Sequence, residues 1–425
     1  MRSRRGFFRR ARDLFPLTGL GVAVLALSAI ALAIGIEAVD LVLIGAGVIG
    51  LAAVALTLAL VLLGLWRVRR ALSRVQATEA PLVIECGHPL RTGFRLPRLW
   101  WIPGVRVRWS WLAPAAKVRA LASGAWLEEE VRPSTRGFGE QLSRRVEVSD
   151  AFGLAAVALE RTEARAVRML PSTGGLKQMH VVRTLSGGSD WSHPEGTPDG
   201  ERLDLRQYAP GDPIKYVLWN VFARTRELVV RTPERALSAA RKTLAYLVAG
   251  AGDEPAAGAA RVAVDVGALG GDWAFGADGV DEPAQTKEAA LEALARSAHA
   301  PRERAGQGLA TFMKSASAGA SRALVFVPAK PGPWLEGVLR SAAQLSPDAT
   351  GRIPIEFIVC IDGVARSKAR GAASRLTLEA DERDGRSDAP VAADELSRVV
   401  SALGRLRARV IVVDRRDGHV HTAAG

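Results

Sequence analysis

Hydrophobic and polar positions alternate in three different rhythms along this chain. Phe15 to Ile36 and Leu41 to Trp66 are apolar runs without a lysine or arginine. At about 1.5 Å per residue each is long enough to cross a hydrocarbon core of about 30 Å. They predict a two-helix transmembrane hairpin, with helices over about 15–36 and 41–66, inside an amino-terminal segment 1–74. From 75 to 185 the runs shorten, and Val105-Arg-Val-Arg-Trp109-Ser-Trp111 alternates strictly, as a half-buried strand does. Residues 118–121, 145–148 and 165–168 repeat that rhythm more weakly. In the third regime, 186–425, the runs 243–249, 323–327, 355–361 and 408–413 are continuously apolar, with helical patterns over 286–298 and 309–318 between them. Buried parallel strands alternating with helices predict an open, doubly wound α/β sheet. A first strand over 243–249 is preferred to one over 261–265, because it makes Ala256 to Leu269 the next helix and Asp272 to Phe275 the next strand.

The molecule is therefore expected to be multidomain: a membrane hairpin, an Ig-like β-sandwich over 75–185, and the α/β domain. In the sandwich Trp109 and Trp111 are assigned to the core. Trp100 and Trp101, beside Arg95 and Arg98, either join that core or rest at a membrane interface. Arginines at 2, 4, 5, 9, 10 and 12 precede the first apolar run, and Arg67, Arg69, Arg70 and Arg74 follow the second, whereas only Glu37 and Asp40 charge the link. The positive-inside rule then keeps both flanks, and everything after Trp66, in the cytoplasm. A cleaved signal peptide is the competing reading, disfavoured by the second apolar run that follows at once. Of the net charge of +13, +7 belongs to the first 74 residues, where it meets anionic lipid, so the basic balance does not argue for nucleic acid. Cys86 and Cys360 are far apart and fit a reducing compartment. Ala46-Gly-Val-Ile-Gly50 has the small-xxx-small spacing of closely packed membrane helices.

One stretch carries a more specific pattern. Pro210-Gly211 supplies a type II turn, and Asp212-Pro213 reads as an N-cap with proline at the first helical position. Ile214, Val217, Leu218, Val221 and Phe222 follow at helical spacing, and Glu227 to Arg231 reads as a strand. The series Arg206, Tyr208, Gly211, Asp212, Trp219, Arg224, Thr225, Glu227 and Arg231, within about 203–235, resembles the signature of the bacterial domain of unknown function 58 family; Asn220 stands where relatives carry lysine. Asp150-Ala-Phe152-Gly153-Leu154 is similar to a second mark of that family. Scaffold bracing and partner docking are both open to the box. Trp219 is expected to be a core side chain whose truncation costs about 3–5 kcal/mol. The segment 186–200 is read as a mobile loop and 366–393 as an exposed insertion.

The resemblance implies a von Willebrand factor A-like α/β domain, which often holds Mg²⁺ through Asp-x-Ser-x-Ser after the first strand. The loop here reads Ala249-Gly-Ala-Gly-Asp253, so a degenerate site without metal is expected, with Asp253, Asp265, Asp278 and Asp362 as solvated loop or cap carboxylates. No phosphate loop, zinc pair or nucleophile elbow is present, so neither catalytic residues nor a cofactor are expected. What the resemblance implies is a non-enzymatic interaction or scaffold module at the bacterial inner membrane. It would work with a MoxR-type AAA+ ATPase on an unidentified client, in assembly or maturation of other complexes. The alternative is a metal-dependent hydrolase acting through Asp212 and neighbouring carboxylates.

Overall fold

A computed structural model describes residues 15–74, 80–177, 204–207, 218–232, 242–344, 353–365, 390–406 and 408–423. By contacts the chain divides into two units, one holding 1–172 and the other most of 173–425.

The first unit opens with α1 (Gly19–Ala38) and α2 (Leu41–Leu72), both long and apolar enough to cross a membrane. Between them Val39 adopts a left-handed backbone (φ 54°) and Asp40 caps α2, accepting from the amides of Val42 at 2.8 Å and Leu43 at 3.3 Å. The buried residues of α1 are Gly21, Ser28 and Gly35, seven apart, and Gly47, Val54, Val61 and Val68 continue that spacing on α2. Small residues at this repeat let two helices approach closely. A Cβ on Gly47 would stand 2.7 Å from the Leu32 amide nitrogen and 2.8 Å from the Ser28 carbonyl oxygen. The glycine-rich run thus does pack the hairpin, through Gly47 and Gly50.

Six residues beyond the predicted end at Trp66, α2 is still helical. Hydropathy marks where the apolar run stops, and the helix continues past that point as an amphipathic one. Val61, Leu65, Val68 and Leu72 share a buried cluster with Phe94, Leu96, Leu99, Trp109, Val146 and Val148 of the β region. Each such side chain contributes about 1.5–3 kcal/mol on burial.

Nine strands follow: β1 (Leu82–Glu85), β2 (Leu90–Pro97), β3 (Val105–Ala113), β4 (Lys117–Ser123), β5 (Trp126–Arg132), β6 (Gly137–Gly139), β7 (Leu142–Asp150), β8 (Ala156–Glu163) and β9 (Val167–Leu170). They form three three-stranded sheets, β1-β9-β6, β2-β5-β4 and β3-β7-β8, antiparallel except for β1 beside β9. The alternation read in 105–111 lies in β3, and Trp109 and Trp111 are buried as expected. Their indole N–H groups, at 2.8 and 3.0 Å, donate to Glu129, a wholly buried carboxylate that also receives Arg144 at 2.9 Å. Burial by itself lowers the Arg144 pKa, but Glu129 and Glu163 outweigh it and hold the guanidinium charged, above its ordinary value.

The second unit contains a ladder of β10 (Asp204–Gln207) and β11 (Val229–Thr232), with α3 (Trp219–Thr225) between them. A six-stranded sheet follows, built from β12 (Lys242–Leu247), β13 (Trp273–Ala277), β14 (Ala320–Pro328), β15 (Ile355–Ile361), β16 (Arg409–Asp414) and β17 (Val420–Ala423). Its order is β13-β12-β14-β15-β16-β17, parallel except for the last pair. Both faces are covered. Ala245, Leu247, Leu324, Phe326, Ile358 and Ile411 face the cluster of α4 (Glu254–Asp265) and α5 (Lys287–Arg296). Leu244, Tyr246, Val325, Val327, Phe357 and Val410 face that of α6 (Gly308–Ala316), α7 (Pro333–Gln344) and α8 (Ala393–Gly404). Burial on both faces is why these strands read as unbroken apolar runs. The preferred register holds, with β12, α4 and β13 in the expected order.

Candidate functional site

The signature box is described only in part. Tyr208, Gly211 and Asp212 lie outside the described residues, as do the loop 186–200 and positions 366–389 of the expected insertion. Arg206 and Arg231 occupy neighbouring rungs of the β10–β11 ladder, opposite Val230 and Leu205. Of the helix read from Ile214 to Phe222, Ile214 to Val217 lie outside the described residues; Leu218 is not helical (φ −81°, ψ 86°), and α3 begins at Trp219. The Leu218 amide instead donates to the Val229 carbonyl at 2.9 Å and ties α3 to β11. Thr225 bonds the Val221 carbonyl at 3.0 Å and receives the Glu227 amide at 3.3 Å, closing a turn whose pivot is Arg226 at φ 62°.

Trp219 does not lie in a core. It is 56% exposed, its ring meets Phe222 edge-on at 6.2 Å, and α3 buries none of its residues. Arg224, Thr225 and Glu227 are exposed with it. Truncating this tryptophan empties no cavity, so the expected 3–5 kcal/mol cost gives way to a small one. Trp219, Arg224, Thr225 and Glu227 are thus surface residues.

The second mark, at Asp150, has a clear structural role. The Asp150 carboxylate accepts from the Phe152 amide at 2.6 Å and from the Ala155 amide, shaping a turn in which Gly153 takes φ 74°. That turn holds the beginning of α1: the Thr18 amide donates to the Leu154 carbonyl at 3.0 Å, the Thr18 hydroxyl to the Gly153 carbonyl, and the Ala156 amide to the Pro16 carbonyl at 3.0 Å. Phe152 itself is 73% exposed. Asp150 and Gly153 are thus the bracket by which the β region grips the start of the hairpin.

At the carboxyl ends of the α/β strands, the order reverses between β12 and β14, the place where open sheets of this kind usually receive ligands. Here that crevice is filled by protein. Trp334 is 1% exposed, donates to the Lys330 carbonyl at 2.8 Å, and packs with Pro328 so closely on Gly250 that a Cβ there would stand 2.8 Å from Pro328 Cγ.

Three of the four acidic residues expected to be solvated are buried instead. Asp278 accepts from the Tyr246 hydroxyl at 2.8 Å, the Ala249 amide at 2.9 Å and the Gly306 amide at 2.7 Å. Burial pushes its carboxyl above the ordinary range, although those donors pull the other way, and the Tyr246 phenol is pushed up as well. Asp253 accepts from the Gly250 amide at 2.8 Å. Asp362 makes a two-pronged pair with Arg415, both contacts 2.6 Å, inside the fold. Only Asp265 is partly exposed, paired with Arg261 at 3.2 Å and Lys287 at 3.0 Å. Asp278 and Asp362 tie together segments far apart in the chain, 28 to 53 residues, which hides their burial from a sequence reading, whereas Asp253 closes its own loop on the Gly250 amide. Among the described residues no three His, Cys, Asp or Glu side chains are grouped to hold a metal ion.

What the geometry defines is a two-helix apolar hairpin fused to a β body, followed by a doubly wound α/β unit. A scan against family models and a search of curated proteins return no match. Among solved structures, a 2,6-sialyltransferase of a Photobacterium species, determined with CMP and lactose, is similar at a TM-score of 0.18 and 6% identity, over 68% of this chain and 43% of its own. A likeness that slight informs neither fold nor activity.

Proposed function

We propose that this chain is a membrane-anchored interaction module whose α1–α2 hairpin spans a bacterial inner membrane and whose β and α/β regions, Ig-like and von Willebrand factor A-like, lie in the cytoplasm. In this reading it belongs with the domain of unknown function 58 proteins and works beside a MoxR-type AAA+ ATPase on a client complex. The observation that carries the anchoring is that both ends of the hairpin are built into one β body. The start of α1 is bracketed by the Asp150 turn, and the last turns of α2 are buried against β2, β3 and β7. The arginine-rich flanks belong to that same end of the hairpin, as the positive-inside rule requires of the cytoplasmic side.

Two further observations favour an interaction role over hydrolysis. The crevice at the strand-order reversal is occupied by Trp334, and the buried carboxylates near it are engaged by loop amides and Arg415. The exposed Trp219, on the same short helix as the exposed Arg224, has the character of an interface anchor, since aromatic and arginine side chains dominate binding energy at protein contacts. The test is crosslinking and affinity capture of the full chain from native membranes. Trp219→Ala should lower ATPase or client capture several-fold while the melting temperature stays within about 2 °C of the parent. Loss of capture together with a large drop in melting temperature would return Trp219 to the core, and no specific partner in several mild detergents would sink the reading.

A further inference from the structure

Where α2 leaves its apolar stretch, the first unit holds a cavity of about 280 Å³ whose charged lining, among the described residues, is arginine: Arg67 and Arg70 from α2, Arg74 just past its end, and Arg95 from β2. Trp126, at the start of β5, and Pro97 complete the wall. On α2 Arg67 and Arg70 stand at i and i+3, on one helix face, and Arg74 follows just past the C-cap Ser73 in a turn closed by its amide on the Ala71 carbonyl at 3.1 Å. Arg95 is brought to them by the β2–β5 ladder, in which Pro97 lies opposite Trp126.

Like charges gathered around one small space repel, and a fold keeps them there without cost only if a counter-charge is present. Among the described residues none supplies it. Among the described residues no acidic side chain lines the cavity and none of the four arginines makes an ion pair. Glu128, opposite Arg95 in the ladder, gives its carboxylate to Arg91 at 3.5 Å. Two of these guanidinium groups lie on aromatic rings. Arg95 lies over the Trp126 ring at 4.9 Å, and Arg70 over the Trp66 ring at 5.9 Å. Stacking fixes the plane of a guanidinium and leaves its N–H edge free to donate. An array of oriented N–H forks without carboxylates is the arrangement that recognises phosphate.

We propose that this cavity binds the phosphate of an anionic phospholipid headgroup. The position selects the lipid. The cavity begins one residue past Trp66, where the uncharged part of α2 ends. Trp66 is 55% exposed, and Trp100 and Trp101, which flank the Leu99 that packs on Gly64, are exposed too. Indoles at that level sit among headgroups and acyl-chain ends, and basic side chains there meet the anionic leaflet. The β body therefore contributes Arg95 and Trp126 to what sequence alone shows as an ordinary basic flank of a helix, and converts diffuse attraction into a site.

The inference rests on the membrane-anchored reading, and the experiment separates the two. Full-length protein is reconstituted into phosphatidylcholine nanodiscs and titrated with phosphatidylglycerol, binding being read by native mass spectrometry after release into detergent. Failure to enter nanodiscs at all overturns the anchoring. Entry, with retention of about one phosphatidylglycerol in preference to phosphatidylcholine, supports the site, and Arg95→Gln and Arg70→Gln should each weaken that retention about tenfold or more. Arg91→Gln, outside the cavity and paired with Glu128, should leave it unchanged. Entry with equal retention of both lipids, or equal loss in all three variants, overturns the site. A final arm adds inorganic phosphate: displacement of the lipid only at large excess supports the headgroup, whereas tight saturable binding of free phosphate, insensitive to lipid, overturns that assignment.

Discussion

Asp278 shows at the scale of one residue how burial and hydrogen bonding contend. Three donors, from Tyr246, Ala249 and Gly306, point at its carboxylate and favour the charged form, yet the group is deep enough that desolvation wins and its pKa lies above the ordinary value. The sign of the consequence follows from linkage. A carboxyl whose folded pKa is raised stabilises the fold fully below the unfolded pKa, and that stabilisation is lost as pH climbs through the folded pKa. Stability of the parent should therefore decline from about pH 4 upward by this group's contribution, and Asp278→Asn, which cannot ionise, should flatten that part of the curve. Chemical denaturation at pH 4, 5.5 and 7 measures it. Parallel curves for parent and variant would mean that the three donors keep Asp278 ionised in the fold. None of this was legible in the chain, where Asp278 reads as a loop carboxylate after a strand. Its partners lie 29 and 28 residues away at Ala249 and Gly306.

At the scale of elements, α2 is one helix with two kinds of packing. Its first half packs on α1 through Gly47 and Gly50, and its last turns pack on the β sheets through Val61, Leu65, Val68 and Leu72. The apolar half was legible from its uncharged run. The second half was not, because Arg67, Arg69 and Arg70 interleave with the buried stripe and read as the flank of a membrane span rather than the polar face of an amphipathic helix. The reverse error occurred at Trp219, where a large aromatic in an apolar stretch reads as core while its helix covers nothing. Strand alternation in β3 and the unbroken runs of β12, β14, β15 and β16 were legible because a single rule, burial of one face or of two, dictates each pattern. For the hairpin the structure separates two neighbouring glycines. A Cβ at Gly47 would collide with Ser28 and Leu32, whereas one at Gly45 meets nothing within 4 Å. Gly47→Leu should cost the hairpin about 1–3 kcal/mol by overpacking, and Gly45→Leu close to nothing. Thermal unfolding of the two variants in the same detergent tests the difference; equal melting temperatures would show that α1 and α2 do not pack through this face.

For the whole molecule, what matters is which side of the bilayer each part occupies. α1 starts at the β body and α2 ends in it, so the tip at Val39 and Asp40 stands one helix length away, about 30 Å for a helix of 20 residues. That is the thickness of a hydrocarbon core, so a spanning hairpin puts tip and body on opposite faces. Under the proposed orientation the positive-inside rule would put the body, next to Arg67, Arg69, Arg70 and Arg74, on the cytoplasmic side. Two variants with one added cysteine each decide it, and the protein lends itself to them because Cys86 and Cys360 are both buried and burial pushes the Cys360 thiol further from its reactive form. Val39 is 80% exposed at the tip and the Arg91 side chain 69% exposed on the body. In intact spheroplasts a membrane-impermeant maleimide should label Val39→Cys at once and Arg91→Cys only after permeabilisation. Labelling in the opposite order would invert the orientation, and simultaneous labelling of both would show that the hairpin lies along the membrane or away from it, leaving the arginine cavity without the leaflet that its position requires.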